Sequence, residues 1–456
     1  MSFGNLMRAF ESGALRPKGG MEAYYEGRAR VAALGVSLPP KARVLEVQAP
    51  WAKMAIDVLA EVLIPSGFIT SCEEDQEPIG WVEKTWQHND MDSQFNLAAS
   101  EALATGASFW VLSPPDEESE YPYVRALDSK HACVRMDWQG RLLEGLAVYR
   151  VDAETIGATY YLPDGVVFYK RLEDSEWLTD GSGRLDSWGP SIIPMYNRAR
   201  IKDKYGRSEL TEMATIIDAA SRTLTNIQVG QEVAAWPLRL LIGNHSAEIL
   251  DSMPDTMQAY IGNILAAPEG SDIKQLTGVD MTPIQNIYKL YALQISSMTG
   301  IPPSMMGVSA DSNPTSAEAL RVAKDRLIAR AENKQRQFAD SLERIARTVC
   351  AMGGFDLAEP TALEIQWRDA AAPSVSAMMA SALQAQAQGV LSAQTARDFM
   401  MLSPQQRERE DARSQEVDEM AGAGVADRSA PEDPDDEDDE AQETEETEKP
   451  KKEPRD

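Results

Sequence analysis

The chain has 456 residues, 43% of them apolar, and carries a net charge of −28. That is enough chain and apolar surface for two or three domains with real cores. No stretch approaches the roughly 18 to 20 uninterrupted apolar residues of a membrane span, and residues 1–20 lack the compact apolar core of a secretory signal, so the expectation is a soluble chain made inside the cell with no membrane partner. The acidic balance argues against a protein that grips nucleic acid by neutralising phosphates on a basic face.

Taken in chain order, the spacing predicts a helix over 21–34 and a second over 51–63, with Met54, Val58 and Leu59 near one face. Pro65-Ser66-Gly67 reads as the stop of that second helix. A further amphipathic stretch runs over 90–105, after which Gly106 leads into the strand-like run SFWVL. Between about 109 and 196 the pattern changes to short alternating or β-branched runs, VRALD, HACVRMDW, LLEGLAVYRV, TIGATYYL and GVVFYKRL, separated by Asp137-Trp138-Gln139-Gly140 and Pro163-Asp164-Gly165. These predict a meander or a small, strongly twisted sheet.

After Gly206, Leu210, Met213, Ile217, Leu224 and Ile227 recur at helical spacing, with Ser208 as the N-cap and Trp236-Pro237 as the stop. Residues 237–280 read as compact and mixed: a strand PLRLLIG, a helix over 253–265 and a strand over 273–276. The helix over 283–299 ends at Gly300-Ile301-Pro302-Pro303. The strongest local signal is a helix over 316–352. Thr315 and Glu318 form a capping box, Leu320, Leu327, Phe338, Leu342, Ile345 and Val349 mark an apolar face, and Gly353-Gly354 closes it. About ten turns would run about 55 Å, longer than a small domain is wide. Its charges, Arg321, Lys324, Arg326, Arg330, Lys334, Arg336, Arg344 and Arg347 among Glu318, Asp325, Glu332, Asp340 and Glu343, read either as a solvated face or as salt bridges between subunits. A strand LEIQW and short helices over 373–410 follow. Residues 416–456 hold 18 Asp/Glu against five Lys/Arg, leaving −15 on the first 415 residues. With Pro and few apolar side chains, this tail cannot offset chain entropy and is expected to be disordered.

The chemistry-bearing residues are sparse. Cys72, Cys133 and Cys350 lie too far apart for a disulfide framework or a metal knuckle and read as small buried apolar residues, and His88, His131 and His245 are as scattered. Nothing matches GxxxxGK[ST], GxGxxG, GxSxG or HExxH. The expectation is a non-enzyme without cofactor or metal, and fixed-period repeats are absent.

Several phrases, in order, resemble the portal proteins of tailed bacteriophages, in the SPP1-like siphovirus family. Tyr24-Tyr25-Glu26-Gly27, WAKMAIDVLAEVLIPSGF and EALATGASFWVL come first. More specific are Ile193-Pro194-Met195-Tyr196-Asn197 followed by Tyr205-Gly206-Arg207-Ser208-Glu209-Leu210, then Thr299-Gly300-Ile301-Pro302-Pro303-Ser304-Met305-Met306-Gly307, then SNPTSAEALR at the entry to the long helix. The resemblance covers roughly residues 20–405. It implies an α+β fold, mainly α, in which residues 1–108 form the helical part of a wing and 109–206 its β-rich part. Stem helices would span 207–236 and 282–300 around a clip at 237–281. A tunnel-loop region would occupy 301–314, the long wing helix and following strand 315–370, crown helices 371–415 and the acidic tail 416–456. Val308, Ser309, Ala310, Asp311, Ser312 and Asn313 would face DNA as the tunnel loop, although the segment also reads as an ordinary connector.

The family also implies a ring of twelve copies at one capsid vertex, assembled in the host cytoplasm. Double-stranded DNA would pass through it, and a separate terminase large subunit, major capsid and scaffolding proteins and head-tail adaptors would be its partners. An acidic lumen suits a duplex that must slide. The rival readings are another virion component, such as a head-tail adaptor or minor capsid protein, and a metal-dependent nucleic-acid enzyme.

Overall fold

The computed structural model describes residues 3–17, 20–30, 46–70, 76–172, 175–184, 191–235, 239–242, 248, 264–267, 282–307, 317–358, 363–371, 375–390, 409 and 413. They fall into two units, Met1–Ala372 and Pro373–Asp456, each described by itself.

The first unit opens with an unanticipated helix, α1 (Phe3–Glu11), whose Phe3, Leu6, Met7 and Phe10 are buried at the three- and four-residue spacing of one helical face. The helix expected over 21–34 is only α2 (Glu22–Tyr25): Gly27 takes a left-handed φ of 67° and turns the chain away. Residues 31–34 lie outside the described residues. α3 (Trp51–Glu61) forms as expected, but its buried stripe is Trp51, Ala52, Ala55, Ile56, Leu59 and Ala60, with Met54 and Val58 only partly buried. Pro65-Ser66-Gly67 does more than stop it, since β1 (Pro65–Ile69) is a strand. α4 (Gln76–His88) and α5 (Met91–Thr105) follow, and Gly106, at φ 113°, turns α5 straight into β2 (Ala107–Ser113). The Ala98, Ala99 and Ala102 side chains are fully buried, so α5 runs through the main core with little volume of its own.

The β-rich stretch makes two sheets. β3 (Tyr123–Asp128) pairs with β2, and β4 (Ala132–Met136), β5 (Leu142–Arg150), β6 (Thr155–Leu162), β7 (Gly165–Leu172) and β8 (Leu178–Arg184) form an antiparallel five-stranded meander. The second edge of β2 is closed by β9 (Ile192–Tyr196), giving the order β3-β2-β9. α1 covers one face of the meander, packing on Cys133, Leu146, Ala158 and Tyr160, with Phe3 stacked on Tyr169 at 3.7 Å between ring centres. Burial pushes the Cys133 thiol up to about 12, as expected of an apolar filler. Cys350 is buried as well, and Cys72 and His245 lie outside the described residues. His88 bonds Ser119 and His131 bonds Asp128.

A 3-10 turn, Glu209–Glu212, precedes α6 (Ala214–Ala235). β10 (Arg239–Ile242) runs parallel to β11 (Ile264–Ala267), so the end of the helix expected over 253–265 is a strand. Residues 253–263 and the strand expected over 273–276 lie outside the described residues. α7 (Thr282–Thr299) packs on α6 and buries Ala292, Ile295, Ser296 and Thr299, while Ile287, Leu290 and Leu293 remain exposed.

α8 (Ala317–Met352) has 36 residues and so is about 54 Å long. It buries Leu327, Ala331, Phe338, Leu342, Ile345, Ala346 and Val349 in the main core. Its end is a Schellman closure, with the Phe355 N–H bonded to the Cys350 carbonyl and Gly354 at φ 80°. Thr315 lies outside the described residues. β12 (Glu364–Trp367) returns to pair antiparallel with β1. In the second unit, α9 (Val375–Ala387) ends at Gly389 in the left-handed region. The later helices expected over 391–410 and the acidic tail lie outside the described residues, apart from single positions.

Candidate functional site

Two of the phrases carrying the family resemblance, the one running through Asn197 and Gly206–Leu210 and the one at Thr299–Ile301, converge on one buried junction beneath α8. At its centre the Glu209 carboxylate accepts from Arg330 at 2.5 Å, from Lys334 at 2.7 Å and from the Asn197 side-chain amide at 3.0 Å. The Glu209 side chain is 15% exposed and that of Lys334 10%. Burial by itself would push the Glu209 carboxyl up. The Lys334 and Arg330 charges and the hydrogen bonds outweigh it and hold the group below the usual carboxylate range. Lys334 also donates to Asn197 Oδ1 at 2.5 Å, and Arg330 to the Thr299 carbonyl at 2.5 Å. One carboxylate thereby fixes the strand exit at Asn197, the Ser208 turn, the end of α7 and the middle of α8.

The backbone around it is equally determined. Gly206 sits at φ 84°, where a Cβ would lie 1.8 Å from the Gly106 carbonyl oxygen. That carbonyl accepts from Asn197 N at 2.9 Å, and Arg207 N donates to the Asn197 carbonyl at 2.7 Å. Ser208 Oγ accepts from Leu210 N, as its cap position predicts, and donates to the Ala104 carbonyl at 2.5 Å. Arg207 points outward to Glu212 at 3.5 Å. At the other phrase, Gly300 has φ 77°, and a Cβ there would meet Arg326 and Leu327 of α8 at 3.0 Å. The Ser296 and Thr299 hydroxyls bond the Ile301 carbonyl and N–H. Pro302 and Pro303 open a turn whose carbonyls accept from Met305 N and Met306 N, and Gly307, at φ 73° with open space around it, ends the described segment. Val308, Ser309, Ala310, Asp311, Ser312 and Asn313 lie outside the described residues.

The structure therefore brings Gly206, Ser208, Glu209, Gly300 and Ile301 together, with Arg207, Pro302, Pro303 and Gly307 at the periphery. The residues that complete the junction, Arg330 and Lys334, fit neither reading of the α8 charges given above. Their signal is nevertheless present: Lys334 stands seven residues after Leu327 and four before Phe338, in line with the buried face. The junction joins elements and holds no reactive constellation. Among the described residues no group of three or more His, Cys, Asp or Glu is placed to hold a metal ion, and no helix is long and apolar enough to cross a membrane.

Residues 20–421 match the family described as "Phage portal protein, SPP1 Gp6-like". The chain is 31% identical over 410 residues to the portal protein of Mycobacterium phage D29, covering 85% of this chain and 82% of that one. It is 30% identical over 428 residues to the portal protein of Mycobacterium phage L5, with 88% and 86% covered. Among solved structures it is similar to a chain from the "neck of native GTA particle computed with C12 symmetry", at 16% identity and a TM-score of 0.45, covering 82% of this chain and 97% of that one. On the strength of the family match and the two phage relatives, the chain belongs to the SPP1 Gp6-like family of phage portal proteins, virion components that are structural rather than enzymatic.

Proposed function

We propose that copies of this chain, twelve in number, close into a ring at one capsid vertex and form the conduit through which double-stranded DNA enters and leaves. The observation that carries this reading is the family match over residues 20–421, to which the α8 rod adds a physical argument. A helix about 54 Å long, locked by a buried ion-pair junction to the strand exit and to the ends of two other helices, is a rigid spar suited to a wedge repeated about an axis. Within that wedge, 1–108 and 109–206 would be wing, 207–236 and 282–300 the stem around a clip at 237–281, and 371–415 the crown. The acidic 416–456 tail would remain unfolded. Val308, Ser309, Ala310, Asp311, Ser312 and Asn313 would form the tunnel loop, projected from the turn that Gly300, Ile301, Pro302, Pro303 and Gly307 set. Gly206, Arg207, Ser208 and Glu209 would anchor the first stem helix.

Assembly would take place in the host cytoplasm. The clip would receive a separate terminase large subunit, because this chain has no phosphate-binding loop of its own. Major capsid and scaffolding proteins and head-tail adaptors would meet the outer surface. With −15 on residues 1–415, the lumen would repel phosphate and let the duplex slide. Negative-stain electron microscopy of the purified chain tests the reading. Closed rings with a hole of about 20 Å or more, wide enough for a duplex whose major groove alone is about 12 Å across, are the expected result; monomers or dimers at every concentration would refute it.

A further inference from the structure

Two exposed features on opposite sides of α8 play no part in the junction. The first is a basic knob. Between β9 and the Ser208 turn the chain reads Arg198-Ala199-Arg200-Ile201-Lys202-Asp203-Lys204, four cations against one carboxylate in a protein of net charge −28. Ile201 is 103% exposed, and Trp138, at the tip of the β4–β5 hairpin, is 88% exposed. They are the two most exposed large apolar side chains among the described residues. Their loops are tied together, since Lys204 Nζ donates to the Met136 carbonyl at 3.2 Å and the Asp137 carbonyl at 3.4 Å. Arg198 lies over the Tyr196 ring at 5.1 Å. Gln337 of α8 clamps the loop base, accepting from Arg198 N at 3.2 Å and donating to its carbonyl at 2.6 Å. The knob is thus held in shape before any partner arrives, which lowers the ordering cost of binding.

The second feature is a groove of about 510 Å³ between α8 and β12. Ala339, Leu363, Ile365 and Trp367 line its floor, and Glu332, Glu343 and Glu364 its rim. Arg336, its one lining cation among the described residues, is turned to Asn333 Oδ1 at 3.0 Å. The Glu343 carboxyl is pushed up, first by burial and also by Asp340 and Glu364, against the Ile365 backbone N–H and its ion pair with Arg347 at 3.7 Å. Lys334, Gln337 and Ser341 face the strand exit and the knob, whereas Glu332, Ala339 and Glu343 face the groove. The two sets are offset by two residues, about 200° around the helix.

We propose that the Ile201 knob of one copy seats in the Glu332, Glu343 and Glu364 groove of the next, a heterologous contact repeated around the ring axis. A cyclic assembly needs two different, complementary patches on opposite sides of one subunit, and the long helix carries one on each side. The groove floor matches Ile201, and its carboxylates match Arg200 and Lys202. Duplex DNA would use the cations but leave both apolar tips in water, so a second copy is the better fit. This contact rests on the ring reading above and adds which surfaces meet.

The test uses the full chain. Ile201→Cys combined with Glu364→Cys, under mild oxidation, is expected to give a ladder of covalent multimers ending at the ring number, and neither single variant should give one. Arg200→Glu with Lys202→Glu is expected to raise the half-assembly concentration at least tenfold, and adding Glu332→Lys with Glu364→Lys to bring it back. Rings that form at the wild-type concentration, with no ladder, would sink the contact and leave the ring standing. A chain that never assembles would remove both. If the charge reversal spares assembly but weakens retention of duplex DNA, the knob belongs to DNA and the contact is overturned.

Discussion

Arg330 donates to Glu209 across 121 residues of chain, at 2.5 Å in a site where the glutamate is largely removed from water. Removing one member of such a group strands the others without compensation, which typically costs about 3–5 kcal/mol. Glu209→Gln is therefore expected to lower unfolding stability by about 3 kcal/mol, read from the midpoint and slope of denaturant unfolding. Replacing Lys53, whose pair with Asp57 is exposed, should give no measurable change. An equal response from the two would contradict the buried-cluster account.

The same carboxylate sets an acid limit. Its folded-state pKa lies below the ordinary glutamate value, so its contribution is complete above about pH 4.3 and is lost as pH falls through the lower folded value. Unfolding measured at descending pH should show a steeper stability loss in the wild type than in Glu209→Gln. Parallel curves would mean that Glu209 titrates normally.

Glu101 behaves oppositely. Burial pushes its carboxyl up to about 7, a shift opposed by Thr105 and reinforced by Asp128 and Glu22. The folded chain then holds the proton more tightly than the unfolded one. Stability falls as pH rises from the ordinary value toward 7, and the penalty stays in full above it. Glu101→Gln avoids it and should gain about 1 kcal/mol at pH 8, after allowance for solvent screening at a partly buried site. No gain in melting temperature at pH 8 would count against the shift.

Two glycines separate backbone strain from crowding. Gly206→Ala places a Cβ 1.8 Å from the Gly106 oxygen, and that backbone has no room to move; the expected outcome is a chain that does not reach the native fold, seen as insoluble expression. Gly307 has a similar left-handed φ of 73° but nothing within 4 Å. Gly307→Ala should cost only about 1 kcal/mol, the conformational penalty alone. Matching losses would show that φ rather than contact governs both sites.

The acidic tail is expected to add nothing to folding. A chain truncated after Met420 should melt within about 2 °C of the full chain and should still assemble. A larger drop would mean that the segment packs.

What the sequence determined by itself was whatever local spacing encodes. The α3, α5, α7 and α8 helices, the Ser208 cap, the Gly106 and Gly300 stops and the meander strands β4 to β7 follow from periodicity and turn chemistry, which act within a few residues. The ordered phrases around Gly206-Arg207-Ser208-Glu209 and Gly300-Ile301-Pro302-Pro303 pointed to the family. Tertiary structure alone decided where those phrases meet. Nothing local says that β9 closes the free edge of β2, that Pro65–Ile69 becomes a strand by pairing with Glu364–Trp367, or that α1 survives because the meander covers its apolar face. Glu209 was legible as part of a motif, but its buried state depends on Arg330 and Lys334. A charge can leave water only when a partner from elsewhere in the chain arrives with it, and that pairing is a property of the fold rather than of any segment.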